Sequence, residues 1–399
     1  MREAGSENEN TPVWPHQLRL RRGAPLVFYT LVLLLLAEFI VAVVLPYIAP
    51  ERLYLKLYLS KEARENAKRF VNDSAPFLSY DEIVGWRNRP NVSHKRWVID
   101  GHGSRSTRAV ATASARRDKV IFLGNSLVNG SSGVSNDETI SAYIEDETTE
   151  SSNFATMLYS LDQSYLAYKH RLHEYKANVV VVGLGVDPGA GLMNRYIPLR
   201  ARQEHNMPFF KPRFELTGKA LNLIPMPPKQ AYEEIFNDDA VLSTLASSDA
   251  HYNEFKAYTR LGLTPILSSV YYIYNKAEHL ASLINGDNRG LPLLKALMSA
   301  MVTEAETRGA HVIFVLLPDM KTTSPGRWRK FLPDHYGNTV KDLSGAGFNV
   351  LDARRTLRKS GIPSRGLFFD DGIHYTSAGN RVIAAELKTM IGKTGGKRQ

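Results

Sequence analysis

Three runs of apolar residues constrain this chain more than any other feature: Val120 to Leu123, Val179 to Val182 and Val312 to Leu317. Each ends in turn-forming residues: Gly124-Asn125-Ser126, Gly183, and Pro318-Asp319. A short continuous apolar run stopped this way reads as a strand buried on both faces. Weaker strand signals lie at 152–156 (SNFAT) and 348–352 (FNVLD). Helical segments alternate with these runs. One begins near Glu138, and 160–177 carries a stripe of Tyr165, Tyr168, Leu172 and Tyr175. Others span 291–309 and 327–345, and a closing helix shows Val382, Ile383, Leu387 and Ile391 on one face, with Thr376 or Ser377 as its cap. Strand–helix alternation of this kind predicts an α/β fold with a parallel sheet covered on both faces.

The front of the chain is organised differently. Residues 1–24 are a polar tail ending in Arg19, Arg21 and Arg22. Residues 25–48 contain an apolar run of about the ~20 residues that cross a bilayer core, interrupted by Glu38. The run is long for a signal-peptide core and no small-x-small site follows it, so it reads as an uncleaved anchor. The arginines before it favour a cytoplasmic N-terminus, with the main domain on the periplasmic or extracellular side. Residues 49–80 read as a charged helical stalk, and 81–118 as irregular polar loops. The main domain is expected over 81–392, followed by a basic tail at 393–399. A stretch rich in Pro, Tyr and Phe, 190–290, reads as an insertion at the mouth of the sheet, a lid, with a helix near 261–286.

Composition narrows the chemistry. With no cysteine among 399 residues, disulfides, thiolate metal sites and a cysteine nucleophile are excluded. The net charge of +10 is scattered in small clusters, such as Arg354/Arg355, without the interleaved aromatics of a nucleic-acid surface. No nucleic acid, metal or cofactor is expected. His170 and His173, three apart, read as a polar helix face. The glycine-rich turn GLGVDPGAG is followed by no lysine, which speaks against a phosphate loop.

Ser126 stands where the first buried strand ends, at the mouth where open α/β sheets place their ligands. Late in the chain comes Asp371-Gly-Ile-His374, in a loop before a helix. A carboxylate three residues from an imidazole can fix its tautomer and orientation. No other of the eleven histidines has an aspartate so placed. The residue two after Ser126 is Val128, and the acid lies only three residues from the histidine, unlike the α/β-hydrolase pattern.

Together these stretches resemble the SGNH/GDSL family of esterases and acyltransferases. LGNSLVNGSSGVSNDET is similar to its nucleophile block, NFATMLYSLDQ to its second block and VVVVGLGVDP to its third. FVLLPD is similar to its penultimate core strand, and DDGIHYTSAGNRVIAAEL to its last block. GWRNRPN followed by GHGSR resembles the lead-in of membrane-anchored bacterial members. The resemblance implies a flavodoxin-like three-layer α/β/α sandwich, with Ser126 as nucleophile, His374 as general base and Asp371 as its orienter. It implies oxyanion donors at Ser126, Leu158 and Asp187, where Leu158 replaces the family's glycine and Asp187 its asparagine. Asn129 and Asn153 are further amides nearby in sequence. The expected activity is ester hydrolysis or O-acyl transfer on an acylated small molecule or polysaccharide, most plausibly O-acetyl groups of envelope or exported glycans. A non-catalytic SGNH domain that binds glycan and a lipid esterase are the rival readings.

Overall fold

The computed structural model describes residues 27–40, 43, 61–94, 96–105, 118–131, 133–200, 207, 209–234, 244, 246–252, 290–325 and 333–395. Eleven strands lie among them. The lead-in forms two hairpins, β1 (Leu78–Asp81) with β2 (Gly85–Asn88), and β3 (Val92–His94) with β4 (Trp97–Ile99). The central strands are β5 (Asp118–Leu123), β6 (Thr149–Asn153), β7 (Val179–Leu184), β10 (His311–Leu316) and β11 (Val350–Asp352). Between them a third hairpin pairs β8 (Arg213–Thr217) with β9 (Ala220–Ile224).

All pairings of the central sheet are parallel, in the order β6-β5-β7-β10-β11. Counted along the chain this is 2-1-3-4-5, the flavodoxin-like doubly wound order. Side chains alternate across it. Val120, Phe122, Val179, Val181, Ile313 and Val315 join one core cluster, with helices 140–144, 353–359 and 377–395. Ile121, Leu123, Val180, Val182, Val312 and Phe314 join the other, with helices 161–170, 291–306 and 335–345. Strands β5, β7 and β10 are thus apolar on both sides, which is why their runs are continuous.

Three expectations need correction. The polar edge strand is Thr149–Asn153, displaced from 152–156, and its side chains are held by hydrogen bonds. Ser151 Oγ donates to Ser141 O (2.9 Å), and Asn153 Nδ2 to Val128 O (2.9 Å). The lead-in is two hairpins in place of loops, with Trp86 and Ile99 fully buried. The stalk reading fails over 61–80. Helix Lys61–Val71 buries Ala67, Phe70 and Val71 in the main core, and Phe70 stacks on Phe209 at 4.1 Å. The domain therefore includes residues from Lys61, ahead of the expected start at Asp81. The helix expected over 327–345 is described from His335 to Gly345, and the one near 261–286 lies outside the described residues.

The described part of the 190–290 insertion packs into the same core through Tyr196, Phe209, Phe210 and Tyr232. A buried ion pair fastens it: Lys211 Nζ donates to Asp162 Oδ2 at the start of helix 161–170, and both side chains are fully buried. Burial pushes the Lys211 pKa down, and the charge of Asp162 opposes that shift. Residues 27–40 are helical, with Val27, Phe28, Leu33, Leu35 and Phe39 exposed. Among the described residues no helix is long and apolar enough to cross a membrane.

The first turn of the site depends on two glycines. Gly124 has φ +135°, and a Cβ there would lie 2.7 Å from Gly183 O. A Cβ on Gly183 would lie 2.0 Å from Val128 Cγ2. The missing side chain at 183 is the seat of Val128, in the helix that begins with Ser126. Gly183→Ala is expected to destabilise the domain by about 1–3 kcal/mol through overpacking. Adding Val128→Ala should return part of that loss, with denaturant unfolding as the measure. A single variant as stable as wild type would refute the seat.

Candidate active site

The strand order reverses between β5 and β7, and the crevice at their carboxyl ends is where such sheets bind ligands. Ser126 opens a one-turn helix, Ser126–Asn129, directly after β5. Asn125 caps it, its Oδ1 accepting from Leu127 N (3.0 Å), and Gly130 closes it in the left-handed region.

Behind this turn lies Arg105, fully buried. Its guanidinium donates to Asn129 O (2.8 Å), Asn136 Oδ1 (2.9 Å), Ser131 O and Val134 O. Burial lowers its pKa to about 10. The GHGSR lead-in thereby holds the far end of the serine turn with four charge-assisted bonds.

The last loop meets the serine from across the sheet. His374 Nε2 lies 2.9 Å from Ser126 Oγ, and His374 Nδ1 lies 2.6 Å from Asp371 Oδ2. An ionised carboxylate only accepts, so Nδ1 carries the proton and Nε2 is left to accept from the serine hydroxyl. Asp371 Oδ1 accepts from Ile373 N (2.7 Å) and His374 N (2.9 Å). Burial tends to raise the Asp371 pKa. The bonds from the His374 ring and from the two backbone amides outweigh it, and the carboxyl sits below its ordinary range. Gly372, at φ +66°, allows the tight return. Tyr375, buried behind the pair, donates its hydroxyl to Pro318 O (2.5 Å), and Thr376 Oγ1 accepts from Gly379 N (3.3 Å) at the helix start.

The structure therefore brings Ser126, His374 and Asp371 into one hydrogen-bonded line. The other expected positions fare differently. Leu158 occupies a left-handed conformation, φ +63°, in the loop after β6, as the backbone of a glycine position requires. Met157 O accepts from Trp86 Nε1 (2.9 Å), and the Tyr159 hydroxyl donates to Trp86 O. The 157–158 peptide is trans, so its N–H points away from the indole. Among the described residues that N–H meets no acceptor, nor does the Ser126 N–H. Asp187 is exposed and caps helix Pro188–Met193, its Oδ1 accepting from Ala190 N (3.1 Å). It has no proton to donate when ionised. Asn129 and Asn153 are committed elsewhere, Asn129 Nδ2 to Ala155 O (2.7 Å) and Asn153 Nδ2 to Val128 O.

Sequence reasoning missed one group. Asn125 Nδ2 has no acceptor among the described residues and lies 3.5 Å from where a Cβ on Gly185 would stand, at the mouth of the β5/β7 crevice. The signal was a carboxamide residue directly before Ser126. No group of three or more His, Asp or Glu side chains suited to a metal ion occurs among the described residues.

Neither protein-family models nor curated proteins give a match to the chain. Solved structures do. An acetylxylan esterase of Geobacillus stearothermophilus, in a catalytic-mutant form, is 12% identical, with TM-score 0.36 over 69% of this chain and 94% of that one. A lipase/acylhydrolase of Enterococcus faecalis is 12% identical, with TM-score 0.34 over 69% and 95%. A lipolytic protein of the G-D-S-L family from Veillonella parvula is 10% identical, with TM-score 0.34 over 68% and 96%.

Trp86→Phe keeps the buried bulk but strips Met157 O of its donor. The expected effect is a stability loss of about 1–3 kcal/mol, with amide exchange accelerated at residues 156–160 more than elsewhere. Unchanged exchange at those residues would show that Trp86 does not hold this turn.

Proposed function

We propose that this chain is a serine esterase or acyltransferase of the SGNH/GDSL type. The carrying observation is the line Ser126 Oγ–His374 Nε2–Asp371 Oδ2 at the switch-point crevice. Ser126 Oγ attacks the acyl carbonyl carbon while His374 Nε2 takes the hydroxyl proton. The tetrahedral intermediate collapses, the ester C–O bond breaks, and His374 gives its proton to the leaving alcohol oxygen. Water, or a sugar hydroxyl, then attacks the acyl-enzyme with His374 again taking the proton, and the acid or new ester departs as Ser126 is reprotonated. Asp371 stays ionised throughout and stabilises the imidazolium.

The oxyanion falls to the N–H groups of Ser126 and Leu158 and to the Asn125 carboxamide. Two observations support the last. Where an asparagine is expected, Asp187 is exposed and serves as a helix cap, while Asn125 beside the serine caps with its Oδ1 and has an Nδ2 without an acceptor among the described residues. An anion is better met by an amide N–H than by a carboxylate, and a preorganised donor of this kind contributes about 100- to 1000-fold in kcat. Ser126→Ala should abolish aryl-acetate hydrolysis and labelling by a serine-directed phosphonate. Asn125→Asp should lower kcat about 100-fold or more with KM little changed. Wild-type protein that neither turns over nor labels would defeat the esterase reading and leave the non-catalytic, glycan-binding one.

We further propose that residues 25–48 anchor the enzyme in a membrane, with the domain outside the cytoplasm and O-acetyl groups of envelope or exported polysaccharide as its substrates. The support is the apolar run, the arginines before it and the exposed apolar side chains of residues 27–40. The full chain should stay with the membrane through carbonate extraction and be released when residues 1–45 are removed. Extraction of the intact chain into the soluble fraction would reject the anchor.

A further inference from the structure

At the carboxyl end of edge strand β11, a surface groove of about 380 Å³ is lined by Asp352, Arg354, Arg355, Arg358 and Lys359. Four cations therefore meet one carboxylate. Asp352 is occupied as a helix cap, accepting from Arg355 N (3.1 Å). Arg354 is held by both oxygens of Asp334 (2.5 and 2.8 Å) and lies 4.6 Å over the Tyr336 ring. Asp334 also feels the charge of Arg358, while no carboxylate among the described residues pairs with Arg355 or Lys359, and all three cations are exposed.

The groove is partly preorganised and is joined to the site. Arg358 donates Nε to Thr323 O (2.7 Å) and Nη2 to Thr322 O (3.1 Å), which fixes its guanidinium. Those carbonyls belong to helix Met320–Thr323, whose first residue donates its N–H to Gly372 O (2.8 Å). Gly372 lies between Asp371 and His374. Four helical residues, about 6 Å, thus separate the Arg358 anchor from the loop that carries the base.

We infer that this groove is a subsite for the anionic groups of an acidic polysaccharide, the chain whose ester is presented to Ser126. This rests on the esterase reading for its purpose, though not for its binding. Four cations spread along helix Ala353–Lys359 favour a polymer with repeated anionic groups over a single free ion. The groove form favours a chain over a flat lipid surface. Clustered cations with low counter-charge also raise the local concentration of an anionic substrate, in a salt-dependent way.

The test uses the full chain in detergent with Ser126→Ala, so that binding is read without turnover. End-labelled polygalacturonate oligomers should bind at low salt, neutral xylo-oligomers at least tenfold more weakly, and added salt should erase the difference. Arg355→Glu with Lys359→Glu should weaken polygalacturonate at least tenfold. The same pair in the Ser126 background should leave aryl-acetate hydrolysis unchanged, which keeps a failed subsite distinct from a failed esterase. Equal affinity for the two oligomers, or no response to the charge reversals, would overturn the subsite. So would reversal-sensitive binding to phosphatidylglycerol-containing vesicles without binding to polygalacturonate, which would assign the groove to lipid.

Discussion

The mouth of this molecule depends on the close approach of two strand ends, β5 and β7, across glycines. Gly124 and Gly183 carry no Cβ, and Val128 fills the space left at Gly183. Val128 lies two residues after Ser126 in the same helical turn, so its van der Waals contact at Gly183 helps set the height of the serine above the sheet. Everything polar at the site is arranged around that seat. Arg105 holds the far end of the turn, Asn125 caps its near end, and the His374 loop docks on it from the side, where a Cβ on Gly133 would meet the Phe369 ring at 2.5 Å.

Charge inside the protein follows the same logic. Arg105 is buried on carbonyl and amide oxygens, and Lys211 on a carboxylate. Neither bond is a strong stabiliser once desolvation is counted. Each joins a segment without its own core to the sheet domain: the lead-in through Arg105, the insertion through Lys211. Removing Asp162 would strand the buried Lys211 charge, and removing Arg105 would leave buried oxygens unpaired, so each junction is specific even where it adds little net stability.

Much of this was legible in the chain, and the failures have physical causes. The central strands could be read because burial on both faces makes them continuously apolar. Ser126 and the Asp371–His374 pair could be read because a strand end and a helix start pin both to one rim. Strand β6 was misplaced because it is polar, and its serines and asparagine bond to neighbouring backbone instead of packing. Helix 61–71 looked like a solvated stalk because its charges outnumber Ala67, Phe70 and Val71, yet those three enter the core. The lead-in hairpins escaped notice because three- and four-residue strands carry too little period. The left-handed backbone of Leu158 was legible as a glycine position. The outward turn of Asp187 and the free amide of Asn125 are properties of side-chain direction, which spacing does not encode.

Asp371 and His374 sit on one four-residue turn, and Asp371 binds both the ring and the backbone of His374. Their mutual contact is local in sequence and closes as soon as the loop forms, at little loop-closure entropy. Assembly of the three-residue line then reduces to one long-range event, the docking of a finished loop onto a finished turn, 248 residues apart in the chain. The pair behaves as a single cartridge. A displacement of the loop would withdraw His374 and Asp371 together from Ser126, with the imidazole still held by its carboxylate.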